Sequence, residues 1–404
     1  FIFGKVVDIF VELDKLTSQF LKNKVRVIVS AALCILFVCY SLGIINIGII
    51  KRLELIAYDT HLRVTVSNKK SPDIVIIDID EASLTAEGRW PWSRNKIASM
   101  VDILFEHYQI SMLGFDIVFA EPDSSSGLPI LEDLAKTTFE SSKEFAVGLA
   151  ALRETLDYDK IFADAISRYP IVLGIYFNST DFDAQKIGVL PNPLMLAAEL
   201  NSSENTILKA TGYGSNLNIF TRSALGAGHF SQKPDADGVV RRQPMLVNFE
   251  GNVYPSLSLE IIRRIMGSGE VQPVFATSGG GYNSLEALDI EGLKIPIDYQ
   301  GNTLIPFRGG RGSFNYVSAT EVLNKNADPS LLRDKVVLVG TTAPGLFDMR
   351  ATPVSETYPG VEIHASLISG LLNQRGLRQP EYVVGYEVLV LLVAGLVMTV
   401  AGAL

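Results

Sequence analysis

The chain has 404 residues, 48% of them hydrophobic, with 35 basic against 44 acidic side chains and a net charge of −9. That length admits two or three domains, or one large domain with membrane segments, and the apolar content favours the second. The acidic balance without a basic cluster argues against nucleic acid, and the only cysteines, Cys34 and Cys39, leave the rest of the chain without a disulfide framework or a cysteine metal site.

Val27 to Ile50 is uncharged and long enough to cross about 30 Å of hydrocarbon as a helix. A signal peptide fits poorly, because the run is too long and more than twenty residues precede it. Lys22, Lys24 and Arg26 stand before it and Lys51 and Arg52 after it, and the positive-inside rule favours a cytoplasmic N-terminus. A second apolar block, Tyr382 to Leu404, carries one charge, Glu387, placed to reach an interface or a neighbouring helix. The expected organisation is a cytoplasmic segment over 1–24, a transmembrane helix over 25–50, an extracytoplasmic domain over 51–380, and the start of a C-terminal membrane region over 381–404. The chain begins at Phe1 and stops within the second block, so a further output domain is expected past Leu404.

Between the blocks, "DIVIIDID" (Asp73–Asp80) and "SMLGFDIVFAEPD" (Ser111–Asp123) read as strands around a helix from Asn95 to Tyr108, a right-handed βαβ unit with neighbouring parallel strands. Asp80 and Asp116 would then sit at the carboxyl ends of those strands, the edge where open α/β sheets bind ligands. Within "GRWPWSRNK", Pro91 fixes the backbone between two rings and Ser93 is a plausible N-cap; a carbohydrate platform is the sharper alternative.

Ser124 to Leu156 reads as an insertion with a helix, "YDKIFADAISRYP" as a helix stopped by Pro170, and "IVLGIYF" as a third core strand, followed by a loop-rich excursion from Asn178 to Leu225. Gly226 to Phe249 reads as two antiparallel strands joined at "PDADG", with a calcium loop at Asp235 and Asp237 as the rival reading although most of that pattern is missing. "YPSLSLEIIRRIMG" is an amphipathic helix, a Gly-rich "TSGGGYNS" follows, and "LKIPID" and "TLIPF" suggest paired short strands. "KVVLVG" is a buried strand, "TTAPGLFDMRATP" a long loop, and "VEIHASLISGLLN" a helix.

The turn "GTTAPG" lacks the lysine and spacing of a P-loop, so a structural turn is preferred to a phosphate site. Asp78, Asp80, Asp116 and Asp348 are expected to converge at the strand ends, where carboxylates hold cations or do acid/base work, or else cap helices and pair with Arg94 or Arg350. His61, His107, His229 and His364 have no metal-ligand spacing, and no serine lies in a Gly-x-Ser-x-Gly elbow.

The ordered motifs "ELIAYDTHLR", "IVIIDIDEASLTAEGRWPWSR", "LGFDIVFAEPD", "GHFSQKPDADGVVRRQP", "VVLVGTTAPGLFDMRATP" and "PGVEIHASLISGLL" resemble the second type of CHASE domain, a sensory extracellular module of bacteria associated with cyclases and histidine kinases. The resemblance runs from about Lys51 to Arg378 and covers Asp59, Asp80, Trp90, Pro91, Asp116, Asp123, Asp237, Gly238, Arg241, Gly340, Thr342, Asp348, Gly360 and His364. It implies an extracytoplasmic mixed-sheet α/β sensor domain flanked by transmembrane helices, in a multi-pass protein of the bacterial inner membrane with the sensor in the periplasm. Asp80, Arg94, Asp116, Thr342 and Asp348 are the ligand-sensing candidates, with no catalytic residue, metal or cofactor expected in this region. The implied output is a class III adenylate cyclase using ATP with Mg or Mn in a homodimer formed through membrane helices and sensor. Alternatives are a serine/threonine or histidine kinase, a non-enzymatic binding or assembly module, or an outer hydrolase built on the aspartates. The extracytoplasmic ligand or protein partner is left open.

Overall fold

The computed structural model describes residues 24–67, 69–179, 184–200, 207–277, 283–343, 345, 348–375 and 382–403. The N-terminal segment before Lys24 and most of "TSGGGYNS" lie outside the described residues. Two units separate, one of residues 1–58 with 379–404 and one of residues 59–378.

In the first unit, α1 (Lys24–Ser41) is long and apolar enough to cross a membrane, with a mean hydropathy of 1.9. The uncharged run to Ile50 is divided rather than one helix: α1 ends at a turn where Gly43 takes φ +71°, and α2 (Gly48–Thr65) begins beyond it. The second apolar block forms α8 (Tyr382–Ala403), whose described apolar stretch, Val383–Thr399, is shorter. Cys34 donates to the Leu391 carbonyl at 3.4 Å, and Ser41 Oγ donates to Glu387 Oε2 at 2.9 Å. That bond is the partner a carboxylate among apolar residues requires.

The second unit is mixed α/β. Six strands, β1 (Ile74–Ile79), β2 (Met112–Phe115), β3 (Ile171–Asn178), β4 (Gly226–His229), β5 (Asn315–Ser318) and β6 (Val336–Thr341), form its parallel part in the order β5-β1-β6-β2-β3-β4. Short strands Gly212–Gly214 and Lys186–Ile187 extend the sheet, the first antiparallel to β3. β1 is buried along its whole length, as a strand covered on both faces must be. Its alternate residues enter two cores. Val75 and Ile77 pack with Ile97 and Val101 of α4 (Arg94–Asp102) and with Phe162 and Ile166 of α5 (Tyr158–Arg168). Ile74 and Ile76 pack with Leu257 and Ile261 of α6 (Leu257–Ile265) and with Val361 and Ala365 of α7 (Gly360–Leu372). Gly340 lets α7 approach β6, since a Cβ there would lie 2.7 Å from Val361 Cβ.

Several local expectations change in three dimensions. β1 and β2 are parallel but not neighbours, because β6 inserts between them and bonds to both. A short helix α3 (Glu81–Glu87) precedes α4, and α4 ends in a π-helical turn, Ile103–His107. The segment 226–249 is not a simple hairpin: β4 joins β3 in the sheet, while Arg242–Pro244 pairs with Asn302–Leu304. Leu293–Pro296 accordingly pairs with Asn283–Ile290, not with the strand at Asn302–Leu304. The turn at "PDADG" is present, with Gly238 at φ +81°. The segment after "GTTAPG" is not all loop, since Met349–Thr352 and Ser355–Pro359 pair antiparallel.

Candidate functional site

The carboxyl ends of β1 and β6 carry a closed polar net. Asp78, on β1, accepts from Thr342 N at 2.9 Å and from Thr342 Oγ1 at 2.6 Å. Burial raises its carboxyl above the usual range, and the Thr342 bonds oppose that rise. Asp80 caps α3 by accepting from Ser83 N at 2.8 Å, and its Oδ1 also accepts from Ser318 Oγ at 2.8 Å. Ser83 Oγ in turn accepts from Thr320 N at 3.1 Å, so one hydroxyl chain ties β1, α3 and the end of β5. The "GTT" turn is structural here: its threonine closes on an aspartate.

Asp116 follows β2, and its backbone N donates to the Val339 carbonyl at 2.9 Å. Burial pushes its carboxyl up to about 7; the Asp348 charge adds to the rise, and Arg350 works against it. Arg350 pairs with Asp348, while Asp348 O accepts from Gly360 N at 2.8 Å at the start of α7. Asp116 and Asp348 therefore share one electrostatic site, separated from Asp80 by the width of β6.

Arg94 lies in a third environment. It is 8% exposed, sits 4.8 Å from the Phe119 ring centroid, and donates from Nη2 to the Glu121 carbonyl at 3.3 Å. Asp159 of α5 lies 3.9 Å from its Nε, and Arg94 N donates to Asp123 Oδ2 at 2.6 Å. Asp123 thus performs the cap expected of Ser93, whose hydroxyl bonds to Asn95 Oδ1 instead. The neighbouring Trp92 is buried and donates from Nε1 to the Gly88 carbonyl, with the Trp90 ring 5.6 Å away edge-on. Trp92 is a core side chain closing the turn and cannot offer its face to a sugar.

The densest ionic cluster is elsewhere. Arg241 is 3% exposed, and all five of its N–H groups are used. Nε and Nη2 take Asp59 of α2 bidentately at 2.8 Å; Nη1 and Nη2 take Asp237 at 2.9 and 2.8 Å, and Nη1 reaches Asp235 at 2.9 Å. Burial alone would lower the guanidinium pKa, but the bonds to Asp59, Asp237 and Asp235 outweigh it and hold the group charged. Asp235 and Asp237 are thereby committed to Arg241, which removes the calcium-loop reading. Four residues after Asp59, Arg63 of α2 also donates to the Pro353 carbonyl.

Glu362 was not singled out by spacing. It is fully buried in the first turn of α7, accepts from Gly312 N at 2.8 Å, and has its carboxyl pushed up to about 7 by burial. The signal was available in principle: a charge within a helix apolar on every side must be buried. On the same helix His364 Nδ1 bonds Ser258 Oγ at 2.9 Å, and burial drives His364 down to about 4 and His229 to about 3, both neutral at pH 7. Among the described residues no group of three His, Cys, Asp or Glu side chains is placed to hold a metal ion.

The described residues thus combine a mixed α/β domain that has a polar strand-end edge with one helix long and apolar enough to cross a membrane. The chain matches the CHASE2 domain over residues 31–402, and it belongs to that family, the extracellular sensor domains of signalling proteins found with cyclases and kinases. Comparison with curated proteins and with solved structures gives no match.

Proposed function

We propose that the chain is the sensor and membrane part of a multi-pass bacterial inner-membrane receptor that regulates a cytoplasmic class III adenylate cyclase, with the sensor in the periplasm. The observation that carries the regulatory part is the Arg241 clamp. It fixes Asp59, on α2, to the turn at Asp235–Gly238, so that a displacement of this turn acts directly on a helix that begins at Gly48. Class III cyclases form active sites between two catalytic domains, so a homodimer through membrane helices and sensor is the assembly this reading requires. ATP with Mg or Mn is assigned to the output domain in this reading; Asp78 and Asp80 are engaged with Thr342, Ser83 and Ser318. Of the sensing candidates, Asp116 and Asp348 keep the role in this proposal, because neither is tied into the Asp78–Asp80 net; Asp80, Thr342 and Arg94 support the fold around them.

The test is cyclic AMP formation from ATP by the full-length protein in lipid nanodiscs with Mg²⁺ or Mn²⁺. Turnover that changes in Asp59→Asn while the melting temperature stays close to wild type supports the reading. No turnover with ATP, and phosphate transfer to protein instead, replaces the cyclase by a kinase.

A further inference from the structure

A cleft of about 710 Å³ opens between the amino end of β4, the helix Asn218–Ser223 and the last turn of α6. Arg222, Arg263 and Arg264 line it, together with one carboxylate, Glu260. Glu260 is 2% exposed and accepts from Arg263 Nε and Nη2 at 2.8 Å and from Arg264 Nε at 2.7 Å. Its seat exists because residue 226 is glycine: a Cβ there would lie 2.1 Å from Glu260 Oε1 and 3.1 Å from Arg264 Nε. The buried carboxylate holds two guanidinium groups in fixed orientation, a preorganised arrangement that costs a ligand little ordering entropy. Arg222 is exposed and makes no hydrogen bond or ion pair among the described residues, so its whole planar fork is available. Three cations against one carboxylate leave the cleft with a net charge of two positive units, which nothing in the sheet-edge net or the Arg241 clamp shares.

We infer that this cleft is a binding site for a small dianion, a dicarboxylate or a phosphate, taken by Arg222 together with the N–H groups that Arg263 and Arg264 keep after Nη1 of each donates to Ser268, to its O at 3.4 Å and to its Oγ at 3.2 Å. Arginine forks match the paired oxygens of both groups. The site also has a route into the fold. Arg263 and Arg264 occupy the C-terminal end of α6, and Ser258 near its start bonds His364 of α7. Neutralising the arginines would shift the pull on Glu260 and hence on α6. Dianion binding is read directly and stands whether or not the output enzyme is a cyclase.

The experiment is equilibrium binding of labelled succinate and, separately, labelled phosphate to the full-length protein in nanodiscs, with succinamide as the uncharged competitor. The expected result is saturable binding of one of the two, indifferent to succinamide and weakened at least tenfold in Arg222→Gln, whose side chain has no hydrogen bond or ion pair among the described residues to lose. Which of the two binds distinguishes a dicarboxylate from a phosphate ligand. Arg264→Gln, used at a temperature where its melting curve shows it folded, should weaken the same ligand. Absence of saturable binding of either anion, or affinity unchanged in Arg222→Gln, overturns the site.

Discussion

At the carboxyl ends of β1 and β6 the polar side chains answer one another inside the fold, whereas at the amino end of β4 three arginines face a single carboxylate. Asp78 meets Thr342, and Asp80 meets Ser83 and Ser318, so each acceptor is matched by a donor of the same domain. In the cleft the match is incomplete, because Glu260 satisfies part of Arg263 and Arg264 and none of Arg222. A run of polar residues in a motif therefore marks a place where the fold is held, and unmatched charge marks a place where something else can be held. In the Arg241 cluster all five donors are bonded, and two of the bonds reach Asp59 of α2.

The largest expected effect comes from breaking the matched kind. Arg241→Met leaves Asp59, Asp235 and Asp237 facing one another without a cation and should cost about 3–5 kcal/mol, read as a lowered melting temperature of the full-length protein. A loss below about 1 kcal/mol would mean that water reaches these carboxylates and that the clamp is weak.

Asp116 gives a pH-dependent test of the next size. Its folded carboxyl ionises near 7, above the 3.8 of a free aspartate, so between those values the folded state holds more protons than the unfolded state. Stability from this group is therefore lost as pH rises through that window. Asp116→Asn should be more stable than wild type by about 2–4 kcal/mol at pH 8, by only about 1 kcal/mol at pH 4.5, and equal to it below pH 3.8. His229 and His364, with depressed values, destabilise both proteins equally as pH falls, so they cancel in this comparison. An equal difference at both pH values would show that Asp116 is hydrated.

Asp80→Ala removes the α3 cap and a bond from Ser318, a loss of about 1 kcal/mol. Asp80→Ser should recover the greater part through its own capping hydroxyl.

How much of this could be read along the chain follows the same division. "DIVIIDID", "IVLGIYF" and "KVVLVG" announce buried strands by composition, and the turn at "PDADG" and the apolar N-terminal helix are local signals, so they were legible, whereas the cap at Ser93 is supplied by the distant Asp123. Sheet order was not, because nothing in the periodicity of β1 and β2 records that β6, more than 200 residues later, lies between them. Asp78, Asp116 and Asp348 could be marked as strand-end acids, yet their pairing with Thr342 and Arg350 depends on that unseen order. The cleft left no motif at all: Gly226, Arg222 and Glu260 come from different elements and acquire meaning only where they meet.

The most direct test of the central claim, that Arg241 ties α2 to the sensor fold, is hydrogen exchange of the full-length protein in nanodiscs, comparing wild type with Arg241→Gln. The account predicts that amide exchange over Asp59–Thr65 accelerates at least tenfold more than that of the β1, β2 and β6 amides, which speed up only as far as the overall loss of stability requires. Unchanged exchange over Asp59–Thr65 in a folded Arg241→Gln protein would contradict it.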